Sequence, residues 1–384
     1  MQRYDFFLKY QKFFVPLQTM KKITTLILRK SVAFWLTHAG LFLTLLFAGL
    51  GTFEHQRLHV RAFTKISENI AISDNREIFL LPFRITLKNF EAEFYDNHQS
   101  KSYKADIVLH YNGTRKEVLI QVNHPVRFMN YDIYLSSYDR SRPNPDYAIF
   151  LVIYDPWVYP KYVAILILLA GLFLYVWKLP YAKNKLVSLF ILLFGLGFSY
   201  MVFSPYLFGG KNLVPALQSW WFVPHIAVYM FAYGALSVAC LLSIYTLFAR
   251  TQNPKSKIHA STPLSDRKKS TLRLRSATVK NPKLFIQSAT VFSLKLGTFL
   301  MGIGLLFGAL WAKEAWGGFW SFDLKENLAA IAWIAFLSAL HFGYFYGNRK
   351  KTLSILIIVA YLLLQLCWFG INLLPESWQS LHRY

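Results

Sequence analysis

Mostly apolar runs of roughly 16 to 24 residues recur along the chain, near 31–53, 162–177, 186–203, 226–249, 289–311, 327–346 and 353–373. At about 1.5 Å of rise per residue, some 20 residues of helix cross a hydrocarbon core of about 30 Å. The pattern therefore predicts seven transmembrane helices. The second run is short, and Trp157 and Tyr159 extend it into the interface. Between the first two runs the period changes to two. Phe83-Arg84-Ile85-Thr86-Leu87 alternates, Asn89 shifts the phase, and Phe90, Ala92 and Phe94 resume it, as in a bulged strand. Asp106–Tyr111, the turn Asn112-Gly113 and Glu117–Val122 form a hairpin. Strands at Tyr131–Leu135 and Tyr147–Tyr154 complete a small sandwich or barrel. The expected fold is a membrane all-α bundle of about seven transmembrane helices with one small extracytoplasmic β domain, residues 54–160, and no internal repeat is evident.

Charge orients the spans. Residues 1–30 carry seven Lys/Arg and one acid, the 178–185 turn three Lys, the 250–283 loop ten Lys/Arg and one acid, and the 349–351 turn three basic residues. An odd number of spans places these four segments on one side, the cytoplasm by the positive-inside rule. The 54–160 segment, whose 13 acids nearly balance its bases, then faces outward, as do residues Pro375–Tyr384. The net charge of +23 is thus mostly a topology signal, and no nucleic-acid partner is expected. A composition of 55% hydrophobic and only 16% charged residues agrees with a membrane protein. The first apolar run starts late and is too long for a cleavable signal peptide. Cys240 and Cys367 both lie in apolar spans without a Cys-x-x-Cys partner, which excludes a disulfide scaffold, a thiolate zinc site and a covalently attached haem.

Four of the ten histidines are informative under this topology. His38 lies seven residues inside the cytoplasmic end of the first span, and His341 seven residues before Asn348 at the cytoplasmic end of the sixth. Both are therefore about 10 Å below one membrane face, where antiparallel helices can present two imidazoles to a metal between them. The alternative is two separate polar residues, each bonded to a nearby carbonyl. His225, after Trp220-Trp221-Phe222-Val223-Pro224, and His382, in Leu381-His382-Arg383-Tyr384, lie on the outer side. Each alone is equally an ordinary helix-start or tail residue.

Between the fifth and sixth spans runs Trp311-Ala312-Lys313-Glu314-Ala315-Trp316-Gly317-Gly318-Phe319-Trp320-Ser321-Phe322-Asp323, ending at Asn327. An interfacial aromatic belt accounts for tryptophans at this depth but does not need Trp-Gly-Gly-Phe-Trp-Ser-Phe-Asp. Two glycines allow close backbone approach to a flat ligand, clustered rings stack on its face, and Lys313 and Lys325 can offset carboxylate substituents. A large planar, dianionic, metal-centred molecule suits the loop and its flanking histidines; haem is such a molecule.

On these residues the chain resembles the system II cytochrome c biogenesis proteins, in the form that fuses a ResB-type half to a CcsA-type (ResC) half. Trp316–Asp323 resembles that family's tryptophan-rich haem-binding motif. Gln218–Tyr229, Leu340-His341, and Phe369–Leu374 leading to Leu381-His382 are similar to its histidine segments. The ResB side is carried by Val122-Asn123-His124-Pro125-Val126-Arg127-Phe128, Tyr134–Tyr138, and Leu36-Thr37-His38-Ala39-Gly40. Together these cover most of residues 32–384.

The resemblance implies a division into a basic cytoplasmic 1–30 segment, a transmembrane helix at 31–53, a ResB-like β domain at 54–160, helices two and three at 161–203, and a CcsA-like haem-handling domain at 204–384. The last holds helices four to seven, the tryptophan-rich loop 311–327 and the basic loop 250–283. The resemblance also implies a cytochrome c synthase (haem lyase) of the bacterial cytoplasmic membrane, with haem b as bound substrate. His38 and His341 would be the inner axial ligands and His225 and His382 the outer ones. Trp311, Trp316, Gly317, Gly318, Trp320, Phe322 and Asp323 would contact the macrocycle. The implied partners are haem, membrane lipid, an apocytochrome c bearing Cys-x-x-Cys-His and a thiol-reducing protein. Asp323 is a candidate acid for the addition step, with a loop-orienting interaction as the alternative. Phe322 stands where the family commonly has tryptophan, keeping a stacking face and losing an indole donor. One span before the β domain and a short CcsA half imply a minimal synthase or one needing a further subunit. The competing readings are a haem exporter or chaperone without ligation activity, and a membrane b-type electron carrier.

Overall fold

The computed structural model describes residues 31–139, 145–208, 212–249 and 282–370. The basic N-terminus, most of the 250–283 loop and the tail carrying His382 lie outside the described residues.

Among the described residues seven long helices form where the apolar runs predict them: α1 Val32–Glu54, α2 Val158–Trp177, α3 Lys185–Leu207, α4 Phe222–Phe248, α5 Pro282–Trp316, α6 Leu324–Phe345 and α7 Lys350–Trp368. All seven helical segments are long and apolar enough to cross a membrane. Large apolar side chains such as Leu186, Phe190 and Leu193 on α3 are exposed, as a lipid-facing surface requires. α5 is the longest at 35 residues, about 52 Å at 1.5 Å per residue, so it outruns a hydrocarbon core of about 30 Å. The apolar run at 289–311 marks only its middle, because Lys283, Lys313 and Glu314 interrupt hydropathy without interrupting helix.

α4 packs along α5 and α7, and α6 along α7, around a core that includes Met230, Leu236, Met301, Phe336, Ile357 and Leu364. α1 packs along α2, where the backbones nearly touch. A Cβ on Gly40 would lie 2.5 Å from the Leu168 backbone nitrogen, and one on Gly171 would lie 2.5 Å from that of Thr37. Small residues permit such close crossings where lipid supplies no hydrophobic drive between helices.

The segment between α1 and α2 is one eight-stranded antiparallel sheet: β1 Gln56–Phe63, β2 Glu68–Ser73, β3 Ile78–Phe94, β4 Ser100–Tyr111, β5 Thr114–Gln121, β6 Val126–Phe128, β7 Tyr131–Tyr138 and β8 Tyr147–Tyr154. Its order is β5-β4-β3-β2-β1-β8-β7-β6. The edge strands β5 and β6 adjoin in sequence, and a bridge between Gln121 and His124 draws them together. The sheet thus curls around a core that includes Leu58, Ile85, Ile107, Ile133 and Phe150. The β3–β4 register shifts between Leu87 and Asn89, the bulge that the phase change marks. Asn112 and Gly113 both have positive φ, 47° and 76°, as a two-residue hairpin turn requires.

The sheet caps one end of the bundle. Tyr95 Oη donates to the Leu213 carbonyl (3.2 Å), Asn123 Nδ2 to that of Pro215 (2.7 Å) and Gln218 Nε2 to that of Lys101 (2.9 Å). The 212–221 connection before α4 and the loop after α5 therefore meet the sheet at the same end. The turns at 178–184 and 346–349 lie at the other.

Candidate functional site

His225 lies in the first turn of α4, beside α5. Its Nδ1 lies 2.8 Å from the Gly304 carbonyl oxygen, which can only accept, so Nδ1 carries the proton and the lone pair resides on Nε2. Hydrogen bonding of the second ring nitrogen to a carbonyl is the usual way a ligating histidine is oriented. The Tyr229 ring stands edge-on at 4.9 Å and the Trp311 ring lies at 5.7 Å. Glycine on α5 makes the slot: a Cβ on Gly308 would lie 2.7 Å from His225 Cε1, and one on Gly304 would lie 2.8 Å from the Tyr229 ring.

The slot opens on a cavity of about 340 Å³ between α3, α4, α5, α6 and α7. Ile226, Leu305, Phe319, Trp320 and Trp368 contribute apolar and aromatic wall, with Lys325 and Glu326 among the few charged groups. The volume is in the range of small-molecule sites, about 300 to 1,000 Å³. Among the described residues no three His, Cys, Asp or Glu side chains cluster as a metal-binding group. An imidazole in an aromatic, apolar cavity suits a metal that is already held in a planar macrocycle, and the lining fits haem in that respect.

At the far end of the bundle, α1 and α6 bring His38 and His341 together, ring centroids 6.4 Å apart and planes at 82°. Each Nδ1 lies 2.8 Å from the carbonyl four residues earlier, Phe34 and Leu337, so both rings carry the Nε2 lone pair, as His225 does. Two imidazole nitrogens each about 2 Å from one metal would place their ring centroids roughly 6 to 6.5 Å apart. The Phe34 ring lies 4.0 Å from that of His38. The carbonyl bonds of the alternative reading are also present, and each still leaves Nε2 available for a metal.

The tryptophan-rich loop divides in two. Trp311 and Trp320 line the cavity, whereas Trp316, Gly317, Gly318, Phe322 and Asp323 do not. Trp311 is fully buried, its Nε1 donating to the Ala216 carbonyl (2.8 Å) and its ring 4.9 Å from Trp316. Trp320 Nε1 donates to Asn327 Oδ1 (3.1 Å). Phe322 is exposed with φ of 58°, a left-handed conformation unusual for a non-glycine residue. Asp323 is the N-cap of α6, accepting from the Lys325 backbone nitrogen at 2.8 Å, which gives it a loop-orienting place. Glu326 holds the loop from the other side, accepting from the backbone nitrogen and hydroxyl of Ser321.

Two sequence expectations require correction. Gly317 does not admit a flat ligand: with φ of 82° it ends α5, and a Cβ there would strike Ile153 and lie 3.2 Å from the Tyr134 ring. Nor is Lys313 free to meet carboxylate substituents. It is 3% exposed, its Nζ 2.9 Å from Asp132 Oδ2 on β7 and 3.0 Å from the Gly317 carbonyl oxygen. Asp132 also accepts from Arg127 Nη1 (2.9 Å), Arg127 Nη2 donates to the Asp155 carbonyl (2.9 Å), and the Asp155 carboxylate pairs with Lys161 of α2 at 2.9 Å. Tyr134 Oη donates to the Lys313 carbonyl (2.9 Å), and burial pushes its phenol well above the usual tyrosine range, so it remains a donor. This chain of buried charges was missed. Its signals are an acid inside the apolar strand Tyr131-Asp132-Ile133-Tyr134-Leu135 and a lysine at the end of an apolar helix.

A seven-helix membrane bundle with a curled sheet on one end, an aromatic cavity beneath it and paired imidazoles at the other end defines the class. Residues 159–379 match the cytochrome C assembly protein family, and residues 29–152 match the ResB-like family. A cytochrome c biogenesis protein CcsA of Prochlorococcus marinus (strain MIT 9301) is 33% identical over 178 residues, 45% of this chain and 57% of that protein. The chain thus spans little more than half the length of that relative. CcsA of Panax ginseng is 30% identical over 269 residues, covering 62% of this chain and 83% of its own length, and CcsA of Fagopyrum esculentum is 31% identical over 242 residues, covering 57% and 74%. The chain belongs to the cytochrome C assembly protein family, as a fused ResB/CcsA protein of system II cytochrome c biogenesis.

Proposed function

We propose that this protein moves haem from the inner histidine pair to the outer cavity and presents it there for covalent attachment to an apocytochrome c. The observation that carries the reading is the arrangement of imidazoles at two ends of one bundle. The His38 and His341 rings lie with centroids 6.4 Å apart, and His225 stands in a glycine slot over the aromatic cavity, all three with Nδ1 turned to a carbonyl. The N-terminus is cytoplasmic and the sheet extracytoplasmic in this reading. Support comes from Lys178, Lys183, Lys185, Arg349, Lys350 and Lys351, which fall at the end away from the sheet. The domain division at residues 54–160 and 204–384 follows from the same orientation.

Haem is the substrate. His225 and His382 would bind its iron from opposite faces, excluding oxygen, while Trp311, Trp320 and Phe319 exclude water around the ring. Ligation then adds each cysteine S–H of the Cys-x-x-Cys-His segment across one vinyl group. A C–S bond forms, the thiol hydrogen passes to the other vinyl carbon and the C=C π bond is consumed, with no net redox change. Holding both reactants converts this to an effectively intramolecular step. Asp323 and Glu326 serve by fixing the loop that carries Trp320.

The test is co-expression of full-length protein with an apocytochrome c carrying Cys-x-x-Cys-His. His225→Ala should cut the yield of haem that resists denaturing extraction by at least about tenfold to a hundredfold, the cost of losing even an outer-shell partner of a metal ligand, with recovery on added imidazole. Full yield in both His225→Ala and His382→Ala would overturn the assignment. Bound haem without any extraction-resistant product in the wild type would favour a carrier without ligation activity.

A further inference from the structure

The β-sheet and the tryptophan-rich loop are joined by one buried ammonium. Lys313 Nζ lies between the sheet's Tyr134 ring and the loop's Phe319 ring, 5.9 and 5.7 Å from their centroids, and Phe319 is itself a wall of the cavity. The same Nζ is ion-paired to Asp132 and donates to the Gly317 carbonyl, one residue before the loop departs. The Lys313 carbonyl accepts from both Tyr134 Oη and the Gly317 nitrogen (3.1 Å), so main chain and side chain of one residue are fixed together. A buried pair of this kind adds little net stability over an apolar pair but is costly to break, because the survivor is an uncompensated charge. What it supplies is a single docking position.

We propose that Asp132 and Lys313 are positioning residues, through which the β-sheet half sets the placement of Phe319 and Trp320 at the cavity. The sheet thereby acts on the haem site from behind the loop, without touching the haem. Asp132 holds Lys313, Lys313 holds the Gly317 carbonyl, and Phe319 and Trp320, two and three residues on, line the cavity. The consequence for cytochrome maturation rests on the reading of that cavity as the place of haem presentation, whereas the loop docking does not.

Two readouts on full-length protein in detergent separate these. In Asp132→Asn and Lys313→Met, amide hydrogen exchange over residues 317–323 should accelerate at least tenfold while exchange in β8 is unchanged. Lys313→Arg, which keeps the cation, should restore slow exchange. In the co-expression assay the first two variants should lower extraction-resistant haem about tenfold and broaden or shift the haem absorption bands, and Lys313→Arg should recover most of the yield. Unchanged exchange over 317–323 in both variants overturns the proposal. So does acceleration spread equally over β8, which would make the pair a general support of the fold. A wild-type protein that binds no haem would end the haem reading while the exchange result still decides the docking.

Discussion

A methyl group separates Gly308 from a residue that would collide with His225. Because an added Cβ would lie 2.7 Å from Cε1 and 2.9 Å from Nδ1 of that ring, Gly308→Ala must displace the imidazole or the helix. Overpacking of this kind costs about 1 to 3 kcal/mol. The expected outcome is a protein that still inserts and purifies, melts a few degrees lower, and shows at least a tenfold loss of extraction-resistant haem in co-expression. Retained yield would mean that the slot tolerates the ring elsewhere. Tyr134→Phe is milder: it removes one donor to a carbonyl that keeps its Gly317 bond, so a loss of about 0.5 to 1.5 kcal/mol in thermal stability is expected, with haem spectra near wild type. At this scale the place of His225 at the start of the fourth long helix was legible, because the apolar run that follows Pro224 marks where that helix begins. The partner of Lys313 was not, because Asp132 is 181 positions away and no local pattern links them.

Helices and strands differed in how plainly they could be read. The apolar runs located the seven long helices of the described residues, and the bulge at Asn89 was visible because a period of two makes any phase slip conspicuous. β1 and β2 went unread: in Gln56–Phe63 the inward Leu58, Val60 and Ala62 alternate with Arg57, His59 and Arg61, close to the first apolar run. The crossing of α1 and α2 was likewise hidden, since Gly40 and Gly171 reveal their purpose only when the backbones are superposed on one another. That crossing fixes how far His38 projects toward α6. Gly171→Leu would drive a large side chain into the Thr37 backbone, pushing α1 away. Total bound haem of the purified protein should fall several-fold, while the His225 site, on other helices, keeps its spectrum. Equal loss from both would show the two levels to be coupled through the bundle.

Across the whole molecule, His55 stands where α1 enters the sheet and provides a titration that crosses the junction. Burial holds its imidazole below the ordinary histidine value of 6.5; Lys161, Lys313 and Arg57 add to this and Asp155 opposes it. Above pH 6.5 the group is neutral folded and unfolded and favours neither state. As pH falls below 6.5 the unfolded chain binds the proton first, so stability declines until the lowered folded value is reached and then levels off. Thermal melts of detergent-solubilised protein from pH 8 to 5 should show this decline, and His55→Gln should flatten part of it. An unchanged slope would remove His55 from the balance.

The buried ammonium also imposes a timetable. β8 ends at Tyr154 and Lys313 follows 159 residues later, so the ribosome, at about 5 to 20 residues per second, delivers the cation roughly 8 to 30 s after the last strand. During that interval Asp132 can keep its bond to Arg127, and the underside of the sheet awaits a helix not yet made. A nascent chain stalled after α4 would therefore display a finished sheet with a vacant berth, whereas one stalled after α6 would have closed it. The strands that supply Asp132 and Tyr134 thus leave the ribosome well before the helix that supplies Lys313, so this contact can close only after most of the chain is made.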